Sequence, residues 1–118
     1  METVFDTSVL DEAKARRRIE NEQLRQQVLQ ATLDFLDEFG VRYGLEKAAL
    51  FGSILVPGRF HEQSDVDIAV ENVEPAVFFD LMASLSMALG QEVELVDLRH
   101  CHFADQIRQK GMVWTKKR

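Results

Sequence analysis

The chain has 118 residues, 46% of them hydrophobic and 29% charged, enough for one ordinary domain with a core of its own but with little room for a second substrate-binding module. That composition is of the soluble globular kind; no run approaches the roughly 20 apolar residues of a membrane span, and the N-terminus lacks a basic-then-apolar signal pattern, so a cytoplasmic location is the expectation. A formal charge of −6 argues against general binding to a nucleic-acid backbone, for which a basic face is expected, yet is compatible with small nucleotides whose phosphates are neutralised by metal. Cys101 is the only cysteine, which rules out an internal disulfide and a zinc-finger framework.

From Ser8 to Phe39 there is no proline or glycine and strong helix formers dominate, so one long helix or two in succession are predicted, with Ser8 as a candidate cap. Leu24, Val28, Ala31, Phe35 and Phe39 recur at helical spacing and give the second half a broad apolar face. The first half, Asp11 to Glu22, is mostly charged, with Arg16-Arg17-Arg18 in its middle, as a helix projecting into solvent or meeting a partner would be. Gly40 and Gly44 bracket a turn, and Lys47 to Phe51 reads as a first strand ending in Gly52-Ser53. Pro57-Gly58 marks a turn in the connection to Ser64.

Asp65 to Val70 alternates acid and apolar residues as a strand buried on one face does, both aspartates on the same side. Pro75 to Leu89 reads as a helix ended by Gly90, with Phe78, Leu81, Met82, Leu85 and Leu89 on one side. Gln91 to Leu98 is a third strand with Val93 and Leu95 facing one way and Glu94 and Val96 the other. Phe103 to Lys110 reads as a short helix closed by Gly111, and Met112-Val113-Trp114 as a final strand or a packed tail before the basic Lys116-Lys117-Arg118. A helical segment over 1–40 followed by a small α/β or α+β unit with a mixed sheet over 41–118, one globular domain in all, is the resulting organisation.

The chemistry lies in three carboxylates and a turn. Two acids one residue apart on a strand share a face, close enough to share divalent ions, which makes Asp65 and Asp67 candidate ligands. Glu94 on a neighbouring strand adds a third oxygen or accepts the proton of an incoming nucleophile. Gly52 lets backbone approach a phosphate and Ser53 adds a hydroxyl donor. Three acids on adjacent strands without a cation would concentrate like charge at a cost. His100-Cys101-His102 has no second ligand pair and reads as a turn; Asp97 reads as a cap for the last helix, and Trp114 as a packing residue.

Phe51-Gly52-Ser53, Ser64-Asp65-Val66-Asp67-Ile68-Ala69-Val70 and Val93-Glu94-Leu95-Val96-Asp97 together resemble the minimal nucleotidyltransferases (MNT) of the DNA polymerase beta superfamily, over about Lys47 to the C-terminus. The resemblance implies the palm-like fold, a two-metal Mg2+ site held by Asp65, Asp67 and Glu94, contacts to the phosphates from Gly52, Ser53 and Ser64, and transfer of a nucleoside monophosphate, AMP from ATP, to an acceptor hydroxyl. Many such proteins are antitoxins paired with a HEPN-type toxin, and some adenylylate a tyrosine on it. Glu94 stands where the family usually has aspartate, apolar Ile54 to Pro57 stand where it often has an arginine, leaving Arg59 as the nearest cation, and the spacing to Asp65 is one residue longer than in many members. Those departures suit an alternative in which a weak or inactive site leaves a binding module that neutralises its partner by covering it. A small-molecule acceptor fits the chemistry but not the short chain. Self-association is left open.

Overall fold

The computed structural model describes residues 7–117; residues 1–6 of the N-terminal segment and Arg118 of the basic tail lie outside the described residues. One helix, α1 (Ser8–Phe39), takes up the whole proline- and glycine-free stretch. Ser8 is its first residue rather than its cap: Thr7 holds the cap position and makes no side-chain capping bond. Residues 7–20 are exposed throughout, whereas Val28, Thr32, Phe35 and Leu36 are buried. The buried Thr32 hydroxyl donates to the Val28 carbonyl at 2.7 Å, so no polar atom is stranded by that burial. At about 1.5 Å per residue such a helix runs out beyond the packed part of the chain and draws the whole molecule out to extents of 70 × 28 × 25 Å.

A 3₁₀ turn at Gly40–Tyr43, closed by Gly44 in the left-handed region, leads into β1 (Lys47–Phe51). β2 (Val66–Val70), α2 (Pro75–Leu89), β3 (Val93–Asp97), α3 (Ala104–Lys110) and β4 (Met112–Thr115) follow. The sheet order is β3-β2-β1-β4, with β1 antiparallel to both β2 and β4 and β2 parallel to β3. Of the two readings open for Met112-Val113-Trp114, the strand is the one realised. Trp114 is buried, and its indole N–H donates to Asp37 of α1 at 2.8 Å.

Strand alternation sorts the side chains into two layers. Ala48, Leu50, Val66, Ile68, Val70, Val93 and Leu95 join Leu36, Leu81 and Leu85 in the larger core under α1 and α2. Ala49 and Ala69 join Leu98, Ala104 and Ile107 in a smaller one under α3. β2 is therefore covered on both faces, not on one as its alternating sequence suggests, because a central strand carries small Ala69 where α3 packs. The strand also begins one residue later than expected, at Val66, which leaves Asp65 in the segment leading into it.

Candidate active site

Asp67 occupies the middle of the site. Register places it opposite Phe51 on β1 and opposite Glu94 on β3, so the end of β1, Asp67 and Glu94 lie in a row across three strands spaced about 4.8 Å apart. Phe51 hands directly to Gly52, which opens a 3₁₀ turn over Gly52–Leu55. Gly52 has φ +77°, and a Cβ there would overlap the Asp67 Oδ2 carboxylate oxygen. Both the conformation and the space demand glycine, and the backbone of the turn thus comes against an acidic oxygen.

The carboxylates differ in setting. Asp67 is half-buried, while Asp65 and Glu94 are exposed; the neighbours Val93 and Leu95 are buried, since they point to the α2 side. Burial first, then the charge of Glu94, a hydrogen bond shared with it and the charge of Asp65 push the Asp67 carboxyl up to about 6. A carboxylate resisting ionisation among two other acids is the electrostatic mark of a place that wants a cation. Among the described residues, no three acidic, histidine or cysteine side chains already surround one ion position. The donor chemistry nonetheless fits a hard divalent cation, since Mg2+ prefers carboxylate oxygen and usually takes only one or two protein carboxylates, completing its shell with water and substrate phosphates.

On the β1 side of Asp67 a cleft of about 380 Å³ brings together Gly52, Ser53 and Arg59 with Phe103, Gln106 and Lys110 of the α3 region. Sequence reasoning expected the first three here and missed the others; Lys110, in the last turn before Gly111, had read only as a helix end. Ser64 is not in this cleft: its hydroxyl accepts the His61 N–H at 3.0 Å and its carbonyl accepts from Gln91 at 2.8 Å, both bonds shaping the loop into β2. Arg25 was also missed. Its guanidinium pairs with Glu22 at 2.6 Å and donates to the Ile54 carbonyl at 2.9 Å, tying α1 to the Gly52–Leu55 turn. The apolar stretch after Gly-Ser has an account as well, since Ile54 is fully buried.

Asp97 does not cap α3. Its carboxylate accepts the Arg99 N–H at 2.9 Å and pairs with the Arg99 guanidinium at 2.8 Å, closing the 3₁₀ turn Leu98–His100 directly after its own strand. The Arg99 pairing holds its carboxyl below the ordinary range.

Residues 36–118 match the family described as Polymerase beta, Nucleotidyltransferase. Among solved structures, a crystal structure of a toxin-antitoxin with AMP-PNP is similar at a TM-score of 0.58 and 28% identity, over 72% of this chain and 74% of that one. A crystal structure from Shewanella oneidensis is similar at a TM-score of 0.50 and 24% identity, over 82% of this chain and 73% of that one. A third, of a tri-AMPylated Shewanella oneidensis HEPN toxin in complex with MNT antitoxin, has a TM-score of 0.46 and 24% identity, over 81% of this chain and 73% of that one. No curated protein matches the sequence. The mixed α/β nucleotidyltransferase fold expected from the motifs is borne out.

Proposed function

The chain belongs to the Polymerase beta nucleotidyltransferase family, and from that premise we propose that it transfers AMP from ATP to a hydroxyl of a partner protein in the cytoplasm, acting as antitoxin to a HEPN-type toxin. The observation that carries this reading is the row formed by the Gly52 turn, Asp67 and Glu94 across three paired strands. A phosphate-approaching backbone and acidic oxygens on adjacent strands are what phosphoryl transfer uses. The likeness to a toxin-antitoxin crystallised with AMP-PNP, an ATP analogue, supports both the nucleotide and the kind of partner.

In this reading the triphosphate lies along the Gly52-Ser53 turn, with Arg59 and Lys110 of the same cleft offsetting its charge. Asp65, Asp67 and Glu94 would hold magnesium, which when bound supplies charge neutralisation at the phosphates. The acceptor oxygen attacks the α-phosphorus as the bond to the bridging oxygen breaks. Pyrophosphate leaves with that electron pair, and Glu94, the exposed acid of the row, takes the acceptor proton. Incubation with ATP labelled at the α-phosphate, magnesium and the product of the neighbouring gene should label that product, and the double variant Asp65→Asn/Asp67→Asn should not. Wild type and variant equally inert would reject the transfer.

A second reading rests on the exposed front half of α1, which carries Val9, Leu10 and Ile19 in water. There the chain neutralises its partner by covering it. Growth rescue that survives Asp65→Asn/Asp67→Asn but is lost on changing Ile19 would select it.

A further inference from the structure

Asp67 has a second flank. Among the described residues the sheet ends beyond Glu94, because β3 is an edge strand. The Glu92 carbonyl accepts the Val66 N–H at 2.8 Å, and peptide groups along a strand turn alternately to either side, so those of Val93 and Leu95 turn outward. The Val93 N–H is taken by the Ser86 hydroxyl at 3.2 Å; Leu95 comes next along the edge. Between this edge and α2 runs a groove of about 590 Å³ lined by Phe79, Met82 and Ala83 on the helix and by Glu94 and Leu95 on the strand, with Asp65 at its lip. Phe79 leaves 64% of its surface in water.

The two flanks are chemically opposite. Arg59 and Lys110 line the cleft beside Gly52, whereas the groove is lined by Asp65, Glu92 and Glu94 and, among the described residues, by no lysine, arginine or histidine. Phosphates are drawn to the first flank and repelled from the second. The second suits a polypeptide: open backbone for a strand, an apolar wall for side chains, acids for basic neighbours.

We propose that an extended, basic segment of the acceptor protein pairs with the open edge of β3 in the groove against α2, and that this pairing brings its hydroxyl to Glu94. The inference rests on the transfer reading above and adds where the acceptor docks. A strand added beside β3 lies about 4.8 Å away and shows alternate side chains to each face. One set meets Phe79 and Met82. The other shares the face of Glu94 and Asp67, which a serine, threonine or tyrosine hydroxyl reaches.

Amide hydrogen exchange on the protein alone and in complex with the neighbouring gene product tests the docking without needing transfer. The Leu95 amide should slow at least tenfold in the complex. Ala83→Arg, which fills the groove from an exposed helical position, should cut labelling of the partner at least tenfold while leaving the thermal shift by ATP and magnesium as in wild type; Phe79→Ser should act in the same direction. An unchanged Leu95 rate in the complex, wild-type labelling of the partner by Ala83→Arg, or failure of the pair to associate overturns the proposal. Slowing of Leu95 with concentration in the protein alone identifies a second copy as the occupant and also overturns it. If wild type transfers no label, the transfer reading fails and the exchange result alone decides the groove.

Discussion

At the residue scale the site's cost falls on Asp67. Its folded carboxyl titrates at about 6 against an ordinary 3.8, so between those values the folded protein keeps a proton that the unfolded chain has released. The contribution of this carboxyl to stability therefore falls as pH rises through that window and levels off above it. Asp67→Asn should flatten this dependence and, at pH 7.5 in metal-free buffer, raise stability by about 1–2 kcal/mol once solvent screening of a half-buried group is allowed for. It should also abolish transfer. Chemical denaturation of wild type and Asp67→Asn at pH 4 and pH 7.5 measures the first effect, since the other carboxyls, some of them held low, are common to both, and a stability difference that does not widen toward pH 7.5 would refute it. Gly52→Ala combines a strained φ of +77° with overlap on the Asp67 carboxylate, so it should destabilise by about 1–3 kcal/mol. Unlike Asp67→Asn it loses activity and stability together, which a melting curve beside a transfer assay separates.

At the element scale, the feature with the widest reach is the Arg25 bridge from α1 to the Ile54 carbonyl. Arg25→Met leaves that carbonyl without this donor and Glu22 with only the Gln26 amide at 3.2 Å, a loss of about 1–3 kcal/mol. It also frees the turn that carries Gly52 and Ser53. The Michaelis constant for ATP should rise at least fivefold, with partial recovery in Arg25→Lys; an unchanged constant would mean that the turn holds its shape without α1. Nothing in the sequence announces this bridge, since its ends are 29 residues apart and a Glu-x-x-Arg pair on a helix usually serves only the helix. Elements bounded by local signals were legible: Lys47–Phe51 ends where Gly52 turns the chain, and Pro75–Leu89 is framed by a first-turn proline and Gly90. Gln91 to Leu98 exceeds the observed β3 because Leu98 is as apolar as the strand before it, whereas the ladder with β2 ends at the Val70–Asp97 pair and the chain enters a 3₁₀ turn closed by the Asp97 bond to Arg99. The aspartates and Glu94 were legible as types and spacing. Their unequal burial was not, since it depends on β2 lying inside the sheet and β3 at its edge, which pairing between distant segments decides.

At the scale of the whole molecule, the outline of 70 × 28 × 25 Å reflects a helix rooted in the core from Val28 onward and carried beyond it through an exposed first half. An isolated helix shorter than about 12–15 residues is marginal in water, so the stretch from Ser8 to Glu20 holds its helix mainly by continuity with the rooted half and has little packing to lose. Deleting residues 1–20 should therefore move the melting temperature by no more than about 2 °C and remove the helical ellipticity of that segment, while ATP with magnesium still shifts the melt as in the full chain. The same deletion should weaken the complex with the neighbouring gene product at least tenfold if the arm, with Arg16 to Arg18 and the exposed Ile19, is a contact surface. Titration calorimetry of full-length and shortened protein reads the outcome: equal affinity would make the arm a solvated helix, and a collapse of the melting temperature would mean that the front half supports the core.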